Sequence, residues 1–275
     1  MPVIIRHIDQ KPTIVSPGCD IIRLLQPEVI GNDQILLDYI KVASDAEYNL
    51  VLESGAVGWV QVLSGRGSFE GMTETLTPDL ISYLPQGFYG NFVSGEGDAV
   101  VLVARVPDAQ RFDPDINDMP RVLRHTDWTR EPILESEHDA RKRIYMATPA
   151  LAGTNAFKGE MITYPPGTAA PEHHHVGAEH FQYIISGRIT ALLNGDRQEL
   201  EAGDVLYNYE HELHTFINES DAEAVFVEFF VPGPCETVWS PGANVCAWLP
   251  TGIDSEGRKP AREIAYHIHG QDDGL

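Results

Sequence analysis

Residues 173–214 hold six of the chain's eleven histidines, and their spacing limits the fold more than any other stretch. His173 and His175 are two residues apart. Consecutive side chains of a β-strand point to opposite faces, so these two imidazoles share a face and His174 takes the other. Asn194-Gly195 interrupts two strand-like runs as a two-residue hairpin signal. Strand, turn and strand then return the chain so that His214 comes back beside the pair. Neutral imidazole is a good ligand for Fe, Mn, Ni, Cu and Zn, so the segment predicts a metal site. The competing explanation is a solvated, tag-like histidine tract.

A fourth ligand has two candidates. Strand parity puts His180 and Gln182 on one face and Glu179 and Phe181 on the other. An extra residue near Gly177 would reverse the two faces. Gln182, Tyr209 and His211 are the candidates for acids, bases or orienting groups around the ion.

The same residues carry a family resemblance. Gly167, His173, His175 and Gly187 fit the first of the two cupin motifs, G-x5-H-x-H-x3or4-E-x6-G. Gly203, His214 and Asn218 fit the second, G-x5-P-x-G-x2-H-x3-N, with Tyr209 and His211 replacing its Pro and Gly. The position of the family's glutamate is His180 with the longer spacing and Glu179 with the shorter. Counting back from Gly187 in the family's register favours His180, giving a ligand set of His173, His175, His180 and His214. The resemblance implies an all-β chain of two tandem jelly-roll (double-stranded β-helix) barrels. It implies one divalent transition metal per chain, Fe2+ before Mn2+, Ni2+ or Zn2+.

Residues 51–106 repeat the pattern without its chemistry. Gly58-Trp-Val-Gln-Val-Leu-Ser-Gly65 resembles the end of the first motif, and Pro85-Gln86-Gly87 begins a second motif with Gly90 at the histidine. Val51, Glu53 and Gly58 stand at the other ligand positions, and one carboxylate without imidazole cannot hold a catalytic transition metal there. The division expected is a metal-free barrel over 1–108, a Pro-rich connection over 109–143 and a metal-binding barrel over 144–275. Residues 136–143 read as one short polar helix. His267-Ile-His269 repeats the H-x-H spacing but lacks flanking glycines, and reads as a terminal strand or a disordered tail.

Composition narrows the partners. With 41 acidic against 19 basic residues the net charge is -22, which argues against nucleic acid and anionic membranes. Three cysteines make no disulfide framework, and no 18-residue apolar run occurs. A cytoplasmic protein acting on a small molecule, with homo-oligomers possible, is expected. Two enzyme classes follow. One is a non-haem dioxygenase-type oxidoreductase acting on a chelating substrate. The other is a redox-neutral hydrolase, isomerase or lyase, similar in layout to ureidoglycine aminohydrolases. A ligand-binding cupin without turnover is the third possibility.

Overall fold

The computed structural model describes residues 1–271 and 275. The chain divides into two compact units. One takes Ile8–Trp128 with Leu151–Ala156. The other takes Met1–His7, Thr129–Ala150 and Phe157–Leu275.

The unit around Ile8–Trp128 is built, among the described residues, from a seven-stranded and a three-stranded sheet. In the larger sheet Ala99–Val106 lies between Val57–Ser64 and Leu36–Val42, antiparallel to both. Its sequence, AVVLVARV, is β-branched and almost continuously buried, as a strand covered on both faces requires. The core is closed by Phe69, Phe88 and Phe92, with Phe69 edge-on to the other two at 4.9 and 5.9 Å. This barrel is filled with hydrocarbon where a ligand site would otherwise lie.

The second unit pairs a nine-stranded with a five-stranded sheet among the described residues. Glu179–Ser186 sits between Val205–Asn208 and Ala224–Val231 in the first. His173–Val176 sits between His214–Ile217 and Glu236–Trp239 in the second. Both sheets contribute to one buried cluster, including Tyr164, Ile184, Phe226 and Trp248 from the larger and Ile189 and Phe216 from the smaller. The hairpin at Asn194-Gly195 is formed, with Leu193 opposite Asp196. Both loop residues have positive φ, 51° and 89°, as a type I′ turn demands.

Gly65 and Gly187, which end the repeated sequence pattern, hold equivalent places. Each has positive φ, and an added Cβ would lie 2.2 Å from Asp98 O at the first and 2.3 Å from Glu223 O at the second. Only glycine permits that approach, so the sequence repeat reflects a structural one.

The chain is divided differently from the sequence expectation. Val3–Ile5 pairs with Val205–Asn208 and so belongs to the second unit. Arg124–Asp127 adds a strand to the first unit's sheet, and Leu134–Ser136 adds one to the second's. Residues 136–143 form no helix. Arg141 and Arg143 alternate into the interior as the chain enters Lys142–Ala147, and a helix could not bury both while pairing with Lys158–Tyr164.

Candidate metal centre

His173 and His214 are direct cross-strand partners. With His175 and His180 they make a closed circuit of rings. Centroids are 4.9 Å apart for His173–His175, 4.7 Å for His175–His180, 4.8 Å for His180–His214 and 4.4 Å for His173–His214. All four are buried. Parity decides the fourth member: His180 and Gln182 face inward, whereas Glu179 accepts a hydrogen bond from Tyr207 on the other face and Phe181 stacks on Phe229. The extra residue that would have reversed this is absent, because Gly177 (φ 88°) turns before the strand begins.

The rings are fixed by their outer nitrogens. His173 Nδ1 donates to Pro171 O at 2.8 Å, and His214 Nδ1 to Glu212 O at 2.9 Å. Thr237 Oγ1 lies 3.2 Å from His175 Nδ1. Such partners leave the Nε2 lone pair for a ligand. The Nε2 atoms of His175, His180 and His214 are buried and have no hydrogen-bond partner among the described residues. Each orphan of this kind costs about 1–3 kcal/mol unless something accepts it. Burial, reinforced by neighbouring imidazoles, holds His173, His175 and His180 well below the usual histidine value, and burial takes His214 to about 4. Convergent, neutral, unpartnered imidazoles suit a transition metal.

Two residues enter the site that the sequence pattern did not supply. Glu228 completes a group with His175, His180 and His214 whose donor atoms lie within 4.8 Å of one another. His173, His175 and His269 form a second, overlapping group by the same measure. Glu228 was hidden because Ala224–Val231 reads as a plain apolar strand. A lone carboxylate at inward parity was the available signal. Burial, and the negative Glu160 beside it, push the Glu228 carboxyl up to about 8. Gln182 Nε2 donates to Glu228 at 2.5 Å and its Oε1 accepts from Asn208 Nδ2 at 3.0 Å, which places Gln182 behind the cluster.

His211 and Tyr209 are not brought to the centre. His211 has φ 68°, a left-handed turn that throws its ring outward, leaving its side chain 63% exposed. Tyr209 is half-buried in the same turn, edge-on to Tyr207 at 5.2 Å.

A family model, the cupin domain, matches residues 160–230, the span of the four-histidine circuit. Oxalate decarboxylase of Bacillus subtilis is structurally similar, with TM-score 0.68 and 16% identity over 86% of this chain and 78% of that one. The matched segment is a cupin domain, and the chain shares the fold of this structure. A second similar cupin structure is protein Ylba of E. coli, with TM-score 0.64 and 16% identity over 84% of this chain and 90% of that one. No curated protein matches the sequence. At these identities the likeness is one of fold, and it extends over both units of the chain. Both candidate ligand groups lie in the second of them. No helix among the described residues is long and apolar enough to cross a membrane.

Proposed function

We propose that the second unit holds one divalent transition metal through His173, His175, His180 and His214 and turns over a small, anionic, chelating metabolite. The observation that carries this is the closed histidine circuit with its unpartnered Nε2 atoms. When bound, the ion would supply Lewis acidity and, as iron, an electron route to dioxygen. The first reading is therefore a dioxygenase-type oxidation. Four neutral ligands leave the ion's charge uncompensated in a dry interior, which favours an anionic substrate. Phe216, Phe226 and Trp239 line the space, and Phe230 packs against His175 and His180. Arg141 and Arg143, both buried, face the same cavity from the larger sheet.

Glu228 favours a second reading. Its Oε1 lies 3.6 Å from His180 Nε2, and its carboxyl exchanges a proton near neutrality. A group of that kind serves redox-neutral proton transfer, as in a lyase or hydrolase. Oxalate decarboxylase shares the fold, so oxalate belongs among the substrates tried.

Elemental analysis of untagged protein, combined with oxygen uptake over a panel of small carboxylates, tests both. Iron with oxygen consumption is the expected result. Turnover without oxygen uptake moves the chain to the second reading. Protein free of metal after growth in metal-replete medium would refute both.

A further inference from the structure

The last strand of the chain, His267–Ile268, pairs with Ala247–Pro250 and delivers His269 to the edge of the histidine circuit. Its ring centroid is 5.3 Å from that of His175 and 5.8 Å from that of His173. By distance alone it is a further ligand. The hydrogen bonds say otherwise.

Arg143 Nη1 lies 2.6 Å from His269 Nδ1. A guanidinium only donates, so Nδ1 must accept and can carry no proton. A neutral imidazole with a bare Nδ1 has its proton on Nε2. That is the opposite tautomer from His173 and His214, whose Nδ1 atoms donate to carbonyls. A protonated Nε2 has no lone pair for a metal. The rest of the network is consistent with this direction. Arg143 Nη1 also donates to Tyr145 OH at 3.2 Å. Tyr145 OH donates to His267 Nε2 at 2.8 Å, and His267 Nδ1 donates to Ala265 O at 3.1 Å. The His269 backbone N–H donates to Cys246 O at 3.0 Å, and Arg143 lies 4.2 Å over the Trp248 ring. The imidazole is therefore held from behind and along its backbone.

His269 borders a cavity of about 20 Å³ together with Arg141, Arg143, His173 and Trp239. One water needs roughly 10–15 Å³ on this scale, so the space takes little more than one water-sized group, such as a carboxylate oxygen. We propose that His269 is a fixed hydrogen-bond donor to a carboxylate oxygen of the substrate and not a metal ligand, with Arg143 setting its tautomer. The substrate class follows as a compact carboxylate; Arg141 and Arg143 border the same cavity, Arg141 paired with Asp139 and Arg143 with Glu160. This assignment rests on the metal centre proposed above for its substrate, and on hydrogen bonding alone for its tautomer.

The test joins ¹⁵N NMR of the histidine side chains with titrations of zinc and formate. In the wild-type protein His269 is expected to carry its proton on Nε2, and metal-free His173 and His214 on Nδ1. His269→Ala should still take one zinc per chain, while formate binds its zinc-loaded form at least fivefold more weakly. His269→Gln keeps an N–H donor and should restore formate affinity to within about twofold; should the alanine variant fail to fold, the glutamine and leucine variants carry the comparison. An Nδ1 proton on His269, loss of zinc from a folded position-269 variant, or formate affinity indifferent to the side chain would each overturn the proposal. Wild-type protein that binds no zinc would instead count against the metal centre, and the tautomer would still decide the role of His269.

Discussion

At the scale of residues, the neighbours Glu179 and His180 have opposite fates because a strand alternates. Glu179 is satisfied outside by Tyr207, and His180 Nε2 has no hydrogen-bond partner inside. His180→Ala should therefore weaken zinc binding by more than the roughly 10–100-fold that loss of an outer partner costs, whereas Glu179→Ala should change it little. Competition with a chelating dye measures both. If the glutamate variant loses zinc and the histidine variant keeps it, the assignment is reversed. Much of this site was legible, because period-two spacing aligns His173 with His175 on one strand and His180 with Gln182 on the next. Glu228 and His269 were not, since nothing local reports which strand lies across a barrel. His211 was misplaced for a different reason: spacing cannot show a left-handed backbone, and at φ 68° the ring leaves the face that counting assigns to it.

At the scale of elements, turn chemistry was the most readable signal and polar strands the least. Asn194-Gly195 announced its hairpin. Residues 136–143, rich in charge, concealed a strand whose arginines point into the protein. Charged residues usually mark solvated faces, and here a buried polar network reverses that expectation. The hairpin also offers a clean measurement of backbone cost. A Cβ at Gly195 would meet nothing within 4 Å, yet φ is 89°. Gly195→Val should then destabilise the second unit by about 1–2 kcal/mol through the left-handed conformation alone. Urea unfolding followed by Trp fluorescence would show it, and an unchanged midpoint would mean that the turn relaxes to another type.

At the scale of the whole molecule, the two units treat the same fold in opposite ways: one interior is filled by phenylalanine, the other by ionisable groups. The second should make the metal-free protein acid-sensitive. His214 titrates near 6.5 when unfolded and about 4 when folded, and His173, His175, His180 and His269 are lowered in the same direction. The unfolded histidines thus bind more protons between those values, so their contribution to stability is complete above about pH 6.5 and falls as pH drops toward 4, whereas Glu228, raised to about 8, acts in the opposite sense. Thermal melts of metal-free Glu228→Gln protein, which lacks the opposing carboxyl, should fall steadily across that range, and a flat profile would show that the histidines are solvated. The path of the chain has a consequence for its synthesis. Val3 pairs with Tyr207, and the strand holding His269 in place follows later still in the chain. At about 5–20 residues per second, the ribosome takes roughly 10–40 s to travel from one partner to the other. The first strand to emerge therefore waits, unpaired, while the unit around residues 8–128 is completed behind it. The histidine circuit cannot form until His214 has been made, so any ion it carries is acquired after the unit around residues 8–128 has been synthesised.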